Sequence, residues 1–145
     1  MSKEISLKIV LQDPVDGVMY GLQKGKGSKY EVVQAQLGKG QNLTFDFSIP
    51  VKQAGGSGIT VGGPFVQGPP GSRFIYISIG SYAGQVGAPW SGRLKIPLHE
   101  ASFQATSSNS GERCWSCTVP GSTEDGKPVF ATVKPFGGWH PCKSS

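Results

Sequence analysis

Glycine and proline interrupt this sequence so often that a long regular helix is strongly disfavoured. The 145 residues include 22 Gly and 11 Pro. Glycine weakens a helix through its conformational freedom, and proline removes a backbone donor and clashes with the preceding turn. Between these interruptions apolar residues recur mainly at every second position, which predicts short β-strands that each bury one face.

The alternating pattern predicts eight or nine short strands. The predicted strands are residues 5–11, 18–23, 30–37, 43–49, 59–61 or 65–67, 73–80, 93–97, 113–119 and 129–133. We expect the last two to pair with each other, and at most one short helical turn near residues 99–101. The fold class predicted is all-β, a single-domain antiparallel β-sandwich or barrel that spans residues 1–145.

Two strands have the strongest apolar pattern and predict the centre of the core. Residues 73–80 are β-branched or aromatic on both faces, as expected for a central strand that is covered on both sides. Residues 43–49 place large apolar side chains on one face only. The predicted core residues on these two strands are Phe45, Phe47, Ile75, Ile77 and Ile79.

The number and distribution of charges limit the kinds of partner to be expected. The formal net charge is +5, from 14 Lys+Arg against 9 Asp+Glu, but the positive residues are scattered. We therefore expect no nucleic-acid partner. The one basic concentration, residues 24–29, is expected to be a solvated hairpin tip. Since no apolar run approaches the ~20 residues of a membrane span or forms a secretory signal, we expect a cytoplasmic protein that does not bind membranes. The oligomeric state stays open.

Five segments together resemble a known family. They are Tyr20-Gly-Leu-Gln23, Gly63-Pro-Phe-Val-Gln-Gly-Pro-Pro-Gly-Ser-Arg-Phe-Ile-Tyr-Ile77, Ile79-Gly-Ser-Tyr-Ala-Gly-Gln85, Trp90-Ser-Gly-Arg-Leu-Lys-Ile-Pro-Leu98 and Ala131-Thr-Val-Lys-Pro-Phe-Gly-Gly-Trp139. These segments resemble the domain-of-unknown-function family numbered 5990. The resemblance implies a small soluble protein without an assigned reaction. Residues 99–117 depart from the family pattern because they are polar and serine-rich, and the three cysteines are not part of it.

The cysteines form the most distinctive local motif. Cys114 and Cys117 have the spacing of a redox dithiol or half a zinc site, and His140 and Cys142 could supply two further ligands. Alternation along a strand would instead point Cys114 and Cys117 to opposite faces, and no helix follows them to lower a thiol pKa. We expect ordinary core or surface cysteines, no metal site and no cofactor.

A double-proline segment allows two interpretations. Residues 68–73, Gly-Pro-Pro-Gly-Ser-Arg, could form a backbone nest that binds an anion beside the Arg73 guanidinium. The same residues could be a rigid turn that leads into the strand at 73–80, with Arg73 as the first residue of that strand. The sequence favours the turn.

The aromatic and amide side chains in or beside the family segments suit an organic ligand, because small-molecule pockets combine apolar walls with a few polar groups. The candidate ligand-binding residues are Tyr20, Gln67, Tyr82, Gln85, Trp90 and Trp139. They predict a site that gathers three loops, residues 62–72, 81–90 and 136–139, provided that the second loop folds back along the central strand.

Four residues are candidates for catalysis. Arg73 or Arg93 could orient an anionic or enol oxygen, and Asp46 or Tyr76 could transfer a proton. The sequence thus predicts binding of an apolar or aromatic small organic molecule, extending to a cofactor-free cyclase or isomerase of metabolite biosynthesis. The alternative is a non-enzymatic module that binds a protein or a carbohydrate on a sheet face.

Overall fold

The computed structural model describes residues 3–26, 29–53, 59–69, 71–80, 92–98, 103, 113–129 and 131–142. These residues form nine strands and no α-helix: β1 (Lys3–Gln12), β2 (Met19–Lys26), β3 (Lys29–Leu37), β4 (Leu43–Gln53), β5 (Ile59–Val61), β6 (Phe74–Gly80), β7 (Gly92–Pro97), β8 (Cys114–Pro120) and β9 (His140–Pro141). The all-β prediction is confirmed. Within these ranges no helix has the length and apolar character needed to cross a membrane. The turn predicted at residues 99–101 lies outside them.

The strands form two sheets that share one apolar core. A five-stranded sheet has the order β5-β4-β1-β8-β9, and a four-stranded sheet has the order β3-β2-β6-β7. Along β6 every second residue is buried, and β1 and β8 show the same alternation. The predicted core residues Phe45, Phe47, Ile75, Ile77 and Ile79 are all buried. The curled pair of sheets confirms the predicted sandwich or barrel.

Strand β8 has a different partner from the one the sequence predicts. It pairs in parallel with β1, and Ser6 lies opposite Cys114. Among the described residues of this range, 129 and 131–133, none pairs with β8; instead Thr132 forms an isolated parallel bridge with Lys95 of β7. The predicted pairing of residues 113–119 with 129–133 is therefore wrong. Proximity in the chain favoured it, but apolar alternation fixes which face of a strand is buried and not which strand lies beside it.

Side chains close one side of the sandwich, between β3 and β4. The Gln34 side-chain amide donates to the backbone carbonyl of Asp46 at 2.6 Å, and the Gln36 amide donates to that of Thr44 at 2.6 Å. These bonds satisfy carbonyls on the edge of β4 that faces away from β1. Two glutamines thus take the place of backbone pairing at this edge.

A C-terminal segment closes the other side, between β7 and β8. We call residues 131–142 the strap. Near its start, the Lys95 backbone N–H donates to the carbonyl of Ala131 at 3.0 Å. Further on, the Phe136 N–H donates to the carbonyl of Thr118 at 2.8 Å. The strap therefore joins the edge strand of the four-stranded sheet to the five-stranded sheet.

Gly38 sits where two turns meet, and we expect its replacement by alanine to be destabilising. Its N–H donates to Val18 and its carbonyl accepts from Gly17. A Cβ atom at this position would collide with the backbone carbonyl oxygen of Val15, which cannot rotate away. Gly38→Ala should lower the free energy of unfolding by about 1 to 3 kcal/mol in urea denaturation.

Gly62→Ala is the matched control, because a Cβ there would meet no atom within 4 Å. It should leave the unfolding free energy within about 0.5 kcal/mol of the wild type. Equal losses in the two variants would contradict the close approach at Gly38.

Candidate functional site

The predicted site residues fall in different parts of the structure. Tyr82, Gln85 and Trp90 belong to residues 81–91, which lie outside the described residues. The other seven are described, and they occupy four settings: the outward surface of β6 and β7, the end of the sandwich near Phe74, the outward surface of β4 and, for Tyr20, the core.

The outward surface of β6 and β7 brings two of the candidates together. Strand β6 buries its isoleucines, so Tyr76 projects away from the core. Strand β7 buries Leu94 and Ile96, so Arg93 projects to the same outer side. In the antiparallel register Arg93 lies opposite Ser78, which is two residues from Tyr76 on the same face of β6.

Four side chains on this surface form a close array. The rings of Phe74 and Tyr76 meet edge to face, with centroids 4.8 Å apart and an interplanar angle of 71°. The Arg93 guanidinium carbon lies 4.8 Å from the Tyr76 centroid. The Lys95 ammonium nitrogen lies 4.0 Å from the Phe74 centroid. We call Phe74, Tyr76, Arg93 and Lys95 the cation–aromatic face.

Each cation of this face reaches a ring on the adjacent strand. A cation within about 6 Å of a ring centroid is attracted by the negative π face, and the contact restrains a long flexible side chain. Two positive groups are therefore held beside two apolar rings. The face thus combines groups of the type that donate to anionic oxygens with rings of the type on which apolar groups pack.

Arg73 closes its own turn. Its Nη1 donates to the Gly68 carbonyl at 2.7 Å, and the Ser72 N–H donates to the Pro69 carbonyl at 3.0 Å. Gly68 and Gly71 have φ values of 92° and 87°, which only glycine adopts readily. The segment is a rigid turn that leads into β6, which is the second of the two interpretations allowed by the sequence. The Arg73 side chain stabilises this turn through its bond to Gly68.

Two of the three predicted loops reach the same end of β6. Gln67 pairs with Phe74 through two backbone hydrogen bonds of 2.8 and 2.9 Å. On the other side of Phe74 lies Pro97, whose carbonyl accepts from Trp139 Nε1 at 3.0 Å. The opposite end of β6 is where Ile79 pairs with Gly92, and the third predicted loop, residues 81–90, lies outside the described residues.

Tyr20 and Trp139 are buried and take part in the fold. The Tyr20 hydroxyl accepts from the Val15 N–H at 2.8 Å and donates to the Gly121 carbonyl at 3.4 Å. Burial raises the pKa of this hydroxyl, and the hydrogen bond from Val15 acts in the opposite direction. The Trp139 ring packs on Phe103 with centroids 5.8 Å apart. Both side chains have intramolecular partners for their polar atoms.

Asp46 lies on the other sheet. It is exposed on the outward surface of β4, opposite Lys8 of β1. Tyr76 projects outward from the four-stranded sheet, so the shared core separates the two residues. The structure does not bring these two candidate proton-transfer groups into one site.

The cysteines differ from expectation in one respect. Cys114 and Cys142 form a disulfide with Cα atoms 5.3 Å apart, so the expectation of three ordinary cysteines is wrong for this pair. Cys117 is a buried thiol on the opposite face of β8, as strand alternation predicted, and desolvation raises its pKa far above the usual range. Among the described residues, no group of three or more His, Cys, Asp or Glu side chains is arranged so that it could hold a metal ion.

A concave surface lies near the start of the basic hairpin tip, away from the cation–aromatic face. It is an open groove of about 550 Å³ lined by Lys24, Gly25, Gly63 and Pro64. Lys24 lies opposite Glu31 in the β2–β3 register.

Sequence reasoning named Tyr76 and Arg93 but did not assign Phe74 or Lys95 to the site. The signal that could have found them is the strand period itself. Phe74 and Tyr76 are two residues apart on one strand, and Arg93 and Lys95 are two apart on the next. If both segments are strands, the two residues of each pair must lie on the same face of the sheet.

Comparison with known proteins identifies the family and nothing more specific. No curated protein and no solved structure matches the chain. Residues 5–141 match the profile of a family of unknown function, DUF5990, which covers nearly the whole of the 145-residue sequence. This is the family that the five sequence segments resemble, and the chain belongs to DUF5990.

Proposed function

We propose that the protein binds a small organic molecule on the cation–aromatic face, and that this molecule has an apolar or aromatic body and an anionic group. One observation supports the proposal: Arg93 and Lys95 each lie within 5 Å of a ring centroid on a partly exposed sheet surface. Such an array presents apolar contact area and positive charge to the same ligand.

The chemistry of the four side chains selects the ligand class. An anionic oxygen would accept hydrogen bonds from the guanidinium and the ammonium group, and charge-assisted bonds are stronger than neutral ones. The flat body of the ligand would pack on the Phe74 and Tyr76 rings, where aromatic pairs add to the gain from buried area. The net charge of +5 favours approach of an anion to the protein as a whole.

A cofactor-free cyclisation or isomerisation on this face would need positioning and one group that transfers a proton. Tyr76 carries the hydroxyl of the face, and Arg93 contacts its ring at 4.8 Å. In this extension Tyr76 transfers the proton and Arg93 holds the developing oxyanion. Asp46 has no part in it, because it lies on the other sheet.

The alternative is an interaction module for a carbohydrate or a protein. It is favoured by the position of the four side chains on the outside of the sandwich, where a flat partner could cover them. Tyrosine and arginine are also the residue types that contribute most at protein interfaces. The two possibilities predict different ligands for the same surface, and one titration can separate them.

Titration with 2-naphthoate, followed by amide chemical shifts in NMR, is expected to give saturable shifts in β6 and β7. Its neutral counterpart 2-naphthamide should bind more weakly, because it lacks the carboxylate. Arg93→Gln and Lys95→Gln should each raise the Kd for 2-naphthoate by about two- to fivefold, as expected for a partly exposed ion pair. Neither substitution should change the Kd for 2-naphthamide.

Lys8→Gln is the matched control, since Lys8 projects from the outward surface of the five-stranded sheet beside Asp46. It should leave both dissociation constants unchanged. Saturable shifts centred on residues outside β6 and β7 would place the site elsewhere. If a neutral oligosaccharide shifts the same amides and 2-naphthoate shifts none, the carbohydrate-binding alternative replaces the proposal.

A further inference from the structure

The strap depends on a covalent bond at its far end. Strand β9 contains only His140 and Pro141, and it pairs with β8 through two residues. The Cys142 N–H adds a single bond to the Cys114 carbonyl at 2.9 Å. So short a strand is marginally stable by itself. The Cys114–Cys142 disulfide is therefore the strongest attachment of the end of the strap to the five-stranded sheet.

The strap inserts an aromatic side chain into the core. Trp139 is only 7% exposed, and its indole N–H donates to Pro97 of β7. Its ring packs on Phe103, which in turn meets Trp115 of β8 edge to face with centroids 5.3 Å apart. If the end of the strap leaves the sheet, this aromatic cluster loses one of its three rings.

The disulfide is accessible to a small thiol, whereas the third cysteine is not in a position to exchange with it. Cys114 and Cys142 are both only partly buried, which leaves this end of the strap open to a small reagent. Cys117 is fully buried on the opposite face of β8, and its raised pKa keeps it protonated and unreactive. Exchange must therefore come from a thiol outside the protein.

We propose that the Cys114–Cys142 disulfide is a redox latch that holds the strap closed. A small monothiol or dithiol is the reductant. Its thiolate attacks one protein sulfur and breaks the S–S bond, and the other protein sulfur leaves as a thiolate and takes up a proton. A second thiolate then displaces the remaining protein sulfur, which is protonated in turn. Two electrons and two protons enter the protein, and the reductant leaves as its disulfide.

Release of the latch affects one side of the sandwich and leaves the rest in place. After reduction, the start of the strap stays hydrogen-bonded to Lys95. Phe136 and Trp139, nearer the far end, are then held by their hydrogen bonds and packing without the help of the disulfide. The cation–aromatic face includes Lys95, so the latch lies at the far end of the segment that borders this face. The inference does not depend on ligand binding there.

The test follows the Trp139 indole N–H by NMR in the full chain, before and after addition of a dithiol without denaturant. In the oxidised protein its exchange with water should be slow, because the proton is bonded to Pro97. Reduction should accelerate this exchange at least tenfold and shift the Phe136 amide signal. The signals of β1 and β6 should keep their positions and dispersion. Cys142→Ser should reproduce the reduced spectrum without any reductant.

Cys117→Ala provides the control, and it should respond to the dithiol as the wild type does. A Trp139 signal that is unchanged by reduction would overturn the proposal. A thiol count would also overturn it: if protein that was oxidised in air and then unfolded showed three titratable thiols, no disulfide would have formed. The latch requires that only Cys117 remain free. Collapse of the β1 and β6 signals on reduction would show unfolding of the whole domain, which also contradicts a latch.

Discussion

Replacement of Phe47 by alanine is expected to lower the free energy of unfolding by about 3 to 5 kcal/mol, a large share of the stability of a typical domain. The Phe47 side chain is buried in β4 and lies opposite Leu7 of β1. Its ring also packs against Phe65, with centroids 4.9 Å apart. Alanine would remove these contacts and leave a cavity between the sheet and the loop that follows β5. Urea or thermal denaturation measures the loss.

Asp46→Ala is the matched control for Phe47→Ala. Asp46 precedes Phe47 on the same strand, but its side chain is exposed on the outward surface. The change should alter stability by no more than about 0.5 kcal/mol. If Asp46→Ala were the more destabilising of the two, the buried and exposed faces of β4 would have been assigned the wrong way round.

Loss of the Cys114–Cys142 disulfide is expected to lower the free energy of unfolding by about 3 to 4 kcal/mol, because the bond limits the conformations of the unfolded chain. The two cysteines are 28 residues apart, so the bond closes a loop of intermediate length. The effect is measured by denaturation of the wild type with and without a dithiol. The reduced protein should remain folded in the absence of denaturant and unfold at a lower urea concentration.

Two variants separate the disulfide from the effect of the reductant itself. Cys114→Ser should already have the lower stability and should not respond to the dithiol. Cys117→Ala should keep the full response, because its thiol is not part of the bond. Equal stability of the oxidised and reduced wild type would contradict the expected contribution of the crosslink.

The local features of the fold follow from short-range patterns in the sequence. Alternation predicts which side chains of β4 and β6 are buried, and Phe45 and Ile77 illustrate the agreement. Glycine and proline predict the turn before β6, where Gly68 and Gly71 have positive φ. These properties depend on residues within one strand or one turn, so a single sequence contains the information needed.

The long-range features do not follow in this way. The parallel pairing of β8 with β1 and the bonds from Gln34 to β4 join segments that no local pattern relates. The disulfide is similar, because three cysteines allow three different pairs and the sequence does not fix the distances between them. The strap closes the sandwich through backbone hydrogen bonds. Because every residue carries backbone groups, the sequence does not indicate which of them pair.

The candidate site was predictable in part. The sequence predicts Tyr76 and Arg93 as site residues, and in the structure the Arg93 guanidinium carbon lies 4.8 Å from the centroid of the Tyr76 ring. Phe74 and Lys95 were not assigned to it, although strand alternation puts them on the same surface. Asp46 is also a predicted proton-transfer residue, but a polar residue between buried ones on a strand faces away from the core. The two outward surfaces belong to different sheets, which only the tertiary structure reveals.

The parallel pair of β1 and β8 also constrains the order in which the chain can fold. The hairpin of β2 and β3 and the pair of β6 and β7 can form as soon as their own residues are available. One edge of β1 can pair early with β4, but its other edge must wait for residues 114–120. During synthesis that edge presents unpaired backbone groups to other chains. Folding through so distant a contact is slow, and the middle strand of the larger sheet is among the last to be covered on both sides.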